Sequence, residues 1–267
     1  MPRTVTKAPE KTPAFAPPRY IAVEGPIRVG KSTLARFLAD RMHARRVIDC
    51  EDNPFLSDFY REKPGTAFSA QMYFLNERHQ RLRDALGAPR DANLLAYAAG
   101  QGGAPVPAGQ SSLSSDLTGA NANPSSAPAD SGPAVIADFL FEKDKIFAYL
   151  NLDNEELKLY ERYFARFSAE LRPPELVIYL QATPEVLRER IAKKAAPGES
   201  RISREYIEGV VRAYEHFFFR YSAADLLVVN TSEIDFVNRN EDLQQLLRRL
   251  EQPVKGTQYF LPLGDGA

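Results

Sequence analysis

The 267-residue sequence predicts an α/β fold in which a five-stranded parallel sheet is covered by helices on both faces. Short apolar runs alternate along the chain with segments whose apolar residues recur at three- and four-residue steps. The first of these runs is followed by a glycine-rich loop and then by a helical pattern, an order typical of a parallel βα unit.

The predicted elements follow one another in regular alternation. The five strands are expected at 20–24, 46–50, 134–137, 176–180 and 226–229. Helices are expected at 31–43, 65–86, 155–172, from 184 onwards, 203–221 and 240–250. Two of the helices have clear start signals, because Thr183 precedes a proline and Ser203 precedes an amphipathic run.

One domain from residue 20 to residue 250 accounts for these elements. It is interrupted at 99–133, where Gly, Pro, Ser and Ala make up 25 of 35 positions. Such a segment buries too little apolar surface to offset the entropy of ordering its backbone, so it predicts a disordered insert. Residues 1–19 and 251–267 are predicted to be tails.

Composition excludes several classes of protein. The formal net charge of −1 argues against a nucleic acid polymer as the main partner. The sequence has no apolar run long enough to span a membrane, and its first residues show no apolar h-region, so a secretory signal is not expected. A single cysteine, Cys50, rules out an internal disulfide framework, and these features together predict a cytoplasmic protein.

A phosphate-binding loop follows the first strand, because residues 25–32 satisfy the pattern G-x-x-x-x-G-K-S. Backbone N–H groups at the helix start would surround the phosphates, Lys31 would add positive charge, and the Ser32 hydroxyl would reach magnesium. Arg28 would either add charge or obstruct the loop. The sequence therefore predicts a P-loop NTPase fold and a nucleoside triphosphate site. Its binding residues are Gly25, Pro26, Ile27, Arg28, Val29, Gly30, Lys31, Ser32 and Thr33.

Further segments point to one family of P-loop proteins. They are 51–56, Phe59-Tyr60, 68–75, 138–150 and 230–236. In this order they resemble the deoxynucleoside kinase family, especially its bacterial deoxyadenosine and deoxyguanosine kinase branch. The resemblance implies a nucleoside and nucleotide kinase-like fold and transfer of a phosphoryl group from ATP, with Mg²⁺, to the 5′-hydroxyl of a deoxynucleoside. Purine deoxynucleosides, nucleotide salvage and a homodimer are implied as well.

The reaction needs a carboxylate near the hydroxyl, and acidic residues cluster where the second strand ends. Asp49, Glu51 and Asp52 are the candidates. In the family that the sequence resembles, the catalytic base is a glutamate about five residues before an Asn-Pro pair. Ile48 holds that position here, or Asp49 after a shift of one residue, so the choice between Asp49 and Glu51 as the base stays open. Asp138 follows the third strand as a magnesium-holding aspartate would. Phe139 stands where some relatives have an arginine.

For the nucleoside, the resemblance implies that Gln71 hydrogen-bonds to the edge of the base. It also implies that Arg78 contacts the base or a carboxylate, and that Asp144 is the carboxylate partner of Arg78. Gln71 and Arg78 lie about two helical turns apart and therefore share one helix face. Tyr60 matches a tyrosine that contacts the sugar 3′-hydroxyl, and Glu199 matches its acidic companion. The preferred base stays open, because an amide can rotate to suit several base edges.

The segment after the fourth strand resembles the family's ATP lid but departs from it. Arg190 matches the first lid arginine, Lys194 replaces the second, and Ala196 stands in place of the third. A lysine offers a point charge without the bidentate fork of arginine. Two alternatives therefore stand beside an active deoxynucleoside kinase: a catalytically impaired nucleotide-binding sensor or interaction protein, and another P-loop kinase acting on a nucleotide or small molecule.

Overall fold

The structure is a computed structural model that describes residues 18–61, 63–87, 133–194 and 202–261. Strands lie at β1 (Tyr20–Glu24), β2 (Arg45–Val47), β3 (Val135–Ala137), β4 (Leu176–Gln181), β5 (Asp225–Asn230) and β6 (Thr257–Phe260). Helices lie at α1 (Lys31–Met42), α2 (Leu56–Phe59), α3 (Thr66–Leu86), α4 (Asp144–Asn151), α5 (Asn154–Ala169), α6 (Pro184–Lys194), α7 (Arg204–Phe219) and α8 (Asn240–Leu250), and a 3-10 turn spans Phe141–Lys143. The predicted N-terminal tail up to residue 17, the predicted insert up to residue 132, and Glu199 lie outside the described residues.

Within the described residues, the strands form a single parallel sheet in the order β2-β3-β1-β4-β5-β6. The predicted parallel α/β fold is confirmed, with six strands where the sequence predicted five. The additional strand, β6, lies in the segment assigned to a C-terminal tail. It occupies the sheet edge with its residues exposed or half-buried, so it lacks the apolar run by which the central strands are recognised.

Alternate residues of the central strands pack into hydrophobic cores on the two opposite faces of the sheet. Ile21 and Val23 of β1 pack on one face with α1 and α8, where Leu34 and Leu246 are fully buried. Tyr20 packs on the other face with α3 and α5, and Ala22 packs there with α7. Because a strand presents successive side chains to opposite faces, helices on both sides bury the central strands and leave the carboxyl edge of the sheet open.

β2 is shorter than predicted, and the difference matters for the site. The predicted strand extends to Cys50, whereas β2 ends at Val47. After that point the backbone N–H of Asp49 donates to the Asp138 carboxylate at 2.7 Å instead of continuing the strand ladder. Asp49 consequently lies in a loop above the carboxyl edge of the sheet.

The helix start signals in the sequence are used as predicted. The Ser203 hydroxyl accepts a hydrogen bond from the backbone N–H of Tyr206, so it caps α7. The α6 helix begins at Pro184, directly after Thr183. Across the described ranges, no helix combines the length and apolarity that crossing a membrane requires.

Candidate active site

A cleft of about 1130 Å³ opens at the carboxyl edge of the sheet. The P-loop and the start of α1 form one end, and α2 and α3 form the other. The ends of β2 and β3, the lid helix α6 and the loop after β5 complete its walls. Ligands of open α/β sheets bind at this edge, because loops from several strands converge there.

Two glycines allow the P-loop its close turns. Gly25 has φ of 151°, and a Cβ atom there would lie 2.3 Å from the carbonyl oxygen of Leu180. Gly30 has φ of 109° and packs against the Phe236 ring, which a Cβ atom would approach to 2.6 Å. Both positions exclude a side chain, so the close turns of the loop require glycine at each of them. Arg28 also has a positive φ of 61° and lines the cleft.

Lys31 is drawn back over the loop that precedes it. Its Nζ atom donates to the carbonyl oxygens of Gly25 at 2.7 Å and Pro26 at 3.0 Å. Burial lowers the pKa of Lys31 to about 8, although the nearby Glu24 carboxylate acts in the opposite direction. A phosphate entering the loop would add negative charge next to this Nζ atom, whose hydrogen-bond acceptors here are two uncharged carbonyl oxygens.

Asp49 lies between two cations at the centre of the cleft. Arg78 donates to it through Nε at 2.8 Å and through Nη2 at 3.3 Å, and Lys143 donates through Nζ at 2.6 Å. Burial on its own would raise the pKa of Asp49, but Arg78 and Lys143 outweigh it and hold that pKa well below its usual range. Asp49 is therefore an ionised carboxylate of fixed orientation. Glu51 also lines the cleft but is exposed.

Two oxygen donors in the cleft suit a magnesium ion bound through phosphates. Ser32 lies at the start of α1, and Asp138 lies at the tip of β3 with 2% of its surface exposed. Mg²⁺ typically takes one or two protein oxygens and completes its shell with phosphate and water. In the described ranges no group of three or more His, Cys, Asp or Glu side chains forms a metal site. The Ser32 hydroxyl and the Asp138 carboxylate, which line one cleft, fit this small number of protein ligands for Mg²⁺.

The predicted base-reading residues come together at the opposite end of the cleft. Gln71 and Arg78 project from α3 and line the cleft. Asp144 is fully buried behind them and pairs with Arg78 through a short contact between its Oδ1 and Nη1. The Gln71 Nε2 atom donates to the backbone oxygen of Asp144 at 2.9 Å and to its Oδ2 at 2.7 Å. The amide nitrogen is thereby committed to Asp144, which leaves the amide oxygen of Gln71 for a ligand.

Tyr160 supports this arrangement from α5. Its hydroxyl donates to Asp144 Oδ2 at 2.9 Å, and no part of the side chain reaches solvent. Burial raises the pKa of Asp144, while Arg78, Gln71 and Tyr160 act in the opposite direction. Three donors on two carboxylate oxygens leave Asp144 as an acceptor that orients its neighbours.

Tyr60 lies at the mouth of the cleft, where 57% of its surface is exposed. Tyr206 of α7 lines the same cleft and interacts electrostatically with Tyr60. Glu199, the predicted companion of Tyr60, lies outside the described residues.

The lid residues Arg190 and Lys194 line the cleft from α6. Arg190 donates to the carbonyl oxygens of Thr231 at 2.7 Å and Ile234 at 3.0 Å, and to the Thr231 hydroxyl at 3.1 Å. Its guanidinium therefore fastens the loop after β5 to the lid helix. Burial lowers the pKa of Arg190, and Asp235 acts against that shift.

Sequence comparison gives the same interpretation as this geometry. The deoxynucleoside kinase family model matches residues 21–99 and 117–255. The chain belongs to the deoxynucleoside kinase family. The gap between the two matched ranges falls within the predicted insert, and both sides of the gap carry residues of the cleft.

Individual members of the family align with most of this deoxynucleoside kinase. A deoxyguanosine kinase of Bacillus subtilis (strain 168) is 26% identical over 238 residues, which is 87% of this chain and 96% of the relative. A deoxyadenosine kinase of Dictyostelium discoideum is 26% identical over 235 residues, 86% of this chain and 78% of the relative. A structure of deoxyadenosine kinase from M. mycoides with bound dATP has the same fold, with a TM-score of 0.61, 20% identity and coverage of 88% and 100% of the two chains.

Three residues were not predicted from the sequence: Lys143 and Phe236, which line this kinase's cleft, and Glu24, which is buried beside it. Lys143 lies inside the segment that resembles the family, but the pattern gave no sign that its side chain turns into the cleft. Glu24 ends β1 with no exposed surface and reads as part of an apolar strand. Phe236 shapes the P-loop from the far end of the chain. Of the three, Glu24 alone carried a signal in the sequence, because it is a charged residue at the end of an otherwise apolar run.

Proposed function

We propose that this deoxynucleoside kinase transfers the γ-phosphoryl group of ATP to the 5′-hydroxyl of a purine deoxynucleoside. The observation that carries the proposal is the arrangement along one cleft, with the P-loop at one end, Gln71 and Arg78 at the other, and Asp49 between them. Phosphoryl transfer depends on positioning and charge neutralisation, and in the proposed complex the acceptor hydroxyl would lie beside the carboxylate and in front of the phosphates.

In the proposed reaction the 5′-oxygen forms a bond to the γ-phosphorus while the bond from that phosphorus to the β–γ bridging oxygen breaks. The products are a deoxynucleoside monophosphate and ADP, and Asp49 takes the proton of the hydroxyl. Asp49 suits this role better than Glu51, because it is ionised, held in one orientation and adjacent to Asp138. The P-loop N–H groups and Lys31 would hold the phosphates.

Mg²⁺ would neutralise phosphate charge, held by Ser32 and Asp138. Arg190 would act by fastening the loop after β5 around the nucleotide, and Lys194 would add charge from the lid helix. Tyr60 would contact the sugar, with Glu199 as its partner. Lys31, Ser32 and Asp138 line the same cleft, and no observation favours the impaired sensor or another kind of P-loop kinase.

The preference for purines is supported by relatives named deoxyguanosine kinase and deoxyadenosine kinase. The test is to incubate purified protein with magnesium and ATP and each of the four deoxynucleosides, and to quantify monophosphate by chromatography. Turnover of deoxyadenosine or deoxyguanosine above deoxycytidine and thymidine is expected. ATP binding without turnover of any nucleoside would refute the proposal in favour of a sensor.

Separate variants test the choice of base. Asp49→Asn should lower kcat by roughly 10²- to 10⁴-fold, to a residual rate that is still measurable, whereas Glu51→Gln should retain turnover. The reverse pattern would assign the base to Glu51, and turnover that survives in both variants would contradict either assignment.

We further propose a cytoplasmic homodimer that works in nucleotide salvage. The family resemblance suggests the dimer, and apolar side chains exposed on α4 and α5 give it a surface. These side chains are Tyr149, Leu150, Leu159 and Tyr163. Light scattering of the purified protein should give twice the 29.9 kDa mass of the chain, and a monomer would exclude this part of the proposal.

A further inference from the structure

Lys143 is a buried lysine in the middle of the cleft. It ends the 3-10 turn after β3, and only 5% of its side chain is exposed. Its Nζ atom lies 2.6 Å from Asp49 Oδ2 and 3.7 Å from Glu24 Oε2. A buried ammonium group is costly unless carboxylates compensate it, and here it has a carboxylate from each of two different strand ends.

Glu24 connects this lysine to the P-loop. Its Oε1 atom accepts from the backbone N–H of Gly25 at 2.7 Å and from the Tyr214 hydroxyl at 3.1 Å. Its Oε2 atom accepts from the backbone N–H of Leu140 at 2.7 Å. Glu24 is therefore fixed at the first residue of the P-loop, and Lys143 spans from this fixed point to Asp49.

Asp49 is held from the opposite side by Arg78. Arg78 donates to Asp49 Oδ1 through Nε at 2.8 Å and to Oδ2 through Nη2 at 3.3 Å. Lys143 donates to the same Oδ2 atom at the shorter distance of 2.6 Å. Arg78 belongs to the nucleoside end of the cleft and Lys143 to the phosphate end. Without Lys143, the Arg78 fork would be the remaining side-chain cation on Asp49 and would draw the carboxylate toward the nucleoside end.

We propose that Lys143 is a positioning residue for phosphoryl transfer, which holds Asp49 toward the P-loop by bridging it to Glu24. This inference rests on the proposed function, because it gives Lys143 a role through Asp49. Phe139 gives a second reason to look for such a cation. Its ring is fully buried and lies 6.0 Å from Lys143 Nζ, so this position contributes an aromatic face rather than a charge.

The test is a double-mutant cycle of Lys143→Met and Asp49→Asn, with kcat and both KM values measured for the two single variants, the double variant and the unmodified protein. In the unmodified background Lys143→Met should lower kcat about 100-fold and change KM for ATP and nucleoside less than about threefold, since misplaced catalytic groups lose rate before binding. In the Asp49→Asn background the same substitution should cost less than about threefold, because its effect passes through the Asp49 carboxylate.

Two further substitutions of Lys143 distinguish the loss of its positive charge from a general folding defect. Lys143→Arg should recover at least about a tenth of the lost kcat, because it restores a cation, whereas Lys143→Gln should behave like Lys143→Met. Each variant is also tested for ATP binding by calorimetry and for its melting temperature. Lys145→Met is the matched control, because Lys145 lies two residues away over the Phe164 ring and should keep kcat within about twofold.

Each outcome bears on one proposal. Losses that multiply across the cycle would assign Lys143 a role independent of Asp49 and overturn the inference. A Lys143→Gln variant with full kcat would overturn it as well. If the unmodified protein turns over no nucleoside, the proposed function fails and the inference falls with it, whereas turnover by the unmodified protein with a multiplicative cycle refutes the role of Lys143 alone.

Discussion

The Gln71 amide predicts which hydrogen-bonding groups a substrate base must carry. The Gln71 side chain donates both of its hydrogen bonds to Asp144 through Nε2, so its Oε1 atom is the group presented to the cleft. A base that offers an N–H at this point is expected to bind, and one that offers only ring nitrogens is expected to be rejected. Purine 2′-deoxyriboside is such a probe, because it has the shape of deoxyadenosine without the exocyclic amino group.

The size of the discrimination follows from burial. Gln71 has 5% of its surface exposed, so an acceptor facing its oxygen would leave that oxygen unsatisfied and away from water. An unsatisfied buried polar group costs about 1–3 kcal/mol, which corresponds to roughly 5- to 150-fold in kcat/KM. We expect deoxyadenosine to exceed purine 2′-deoxyriboside by a factor in this range.

The assay is the ratio of kcat/KM for the two nucleosides in three proteins. Gln71→Met conserves volume and removes the acceptor, so the ratio should fall to within about threefold of unity. Gln80→Met is the matched control, because Gln80 is exposed on the same helix, and its ratio should equal that of the unmodified protein. Equal or better use of purine 2′-deoxyriboside by the unmodified protein would show that the amide nitrogen faces the cleft and would refute the reasoning.

Three further predictions concern the P-loop, a buried histidine and the insert. Gly30→Ala should lower stability by at least about 1–3 kcal/mol and weaken ATP binding, because Gly30 has a positive φ and its added Cβ would meet the Phe236 ring. Gly209→Ala is the control, because Gly209 lies within α7 and an added Cβ would have nothing within 4 Å. This variant should raise the stability of the folded protein by roughly 0.5–1 kcal/mol. Equal melting temperatures for Gly30→Ala and Gly209→Ala would contradict this contrast. Burial lowers the pKa of His79 below the ordinary 6.5, so the unfolded chain takes up the proton first and stability should fall as pH drops through 6.5. Urea unfolding at pH 7.5 and 5.5 should show a smaller difference in His79→Phe, and an unchanged difference would exclude His79 as the source. Replacing residues 99–133 with a short Gly/Ser linker should leave nucleoside affinity nearly unchanged, and a large loss measured by calorimetry would assign the insert to the site.

The sequence by itself determined the fold class and the phosphate site. A P-loop uses backbone groups and side chains that are consecutive in the chain, so the spacing of Gly25, Gly30 and Lys31 is sufficient to locate it. The central strands could also be predicted from the sequence, because burial on both faces requires continuous apolar runs. The β6 strand was missed, since an edge strand needs no such run.

Tertiary structure alone decided what surrounds Asp49. Arg78 and Lys143 lie 29 and 94 residues away from it along the chain, and only the folded sheet edge brings them to its two oxygens. The orientation of the Gln71 amide was likewise open in the sequence, because either end of an amide can face a ligand. It became fixed when folding placed Asp144 behind Gln71. Local patterns report local chemistry, whereas the charge balance and hydrogen-bond direction of a cleft depend on residues that meet only after the chain has folded.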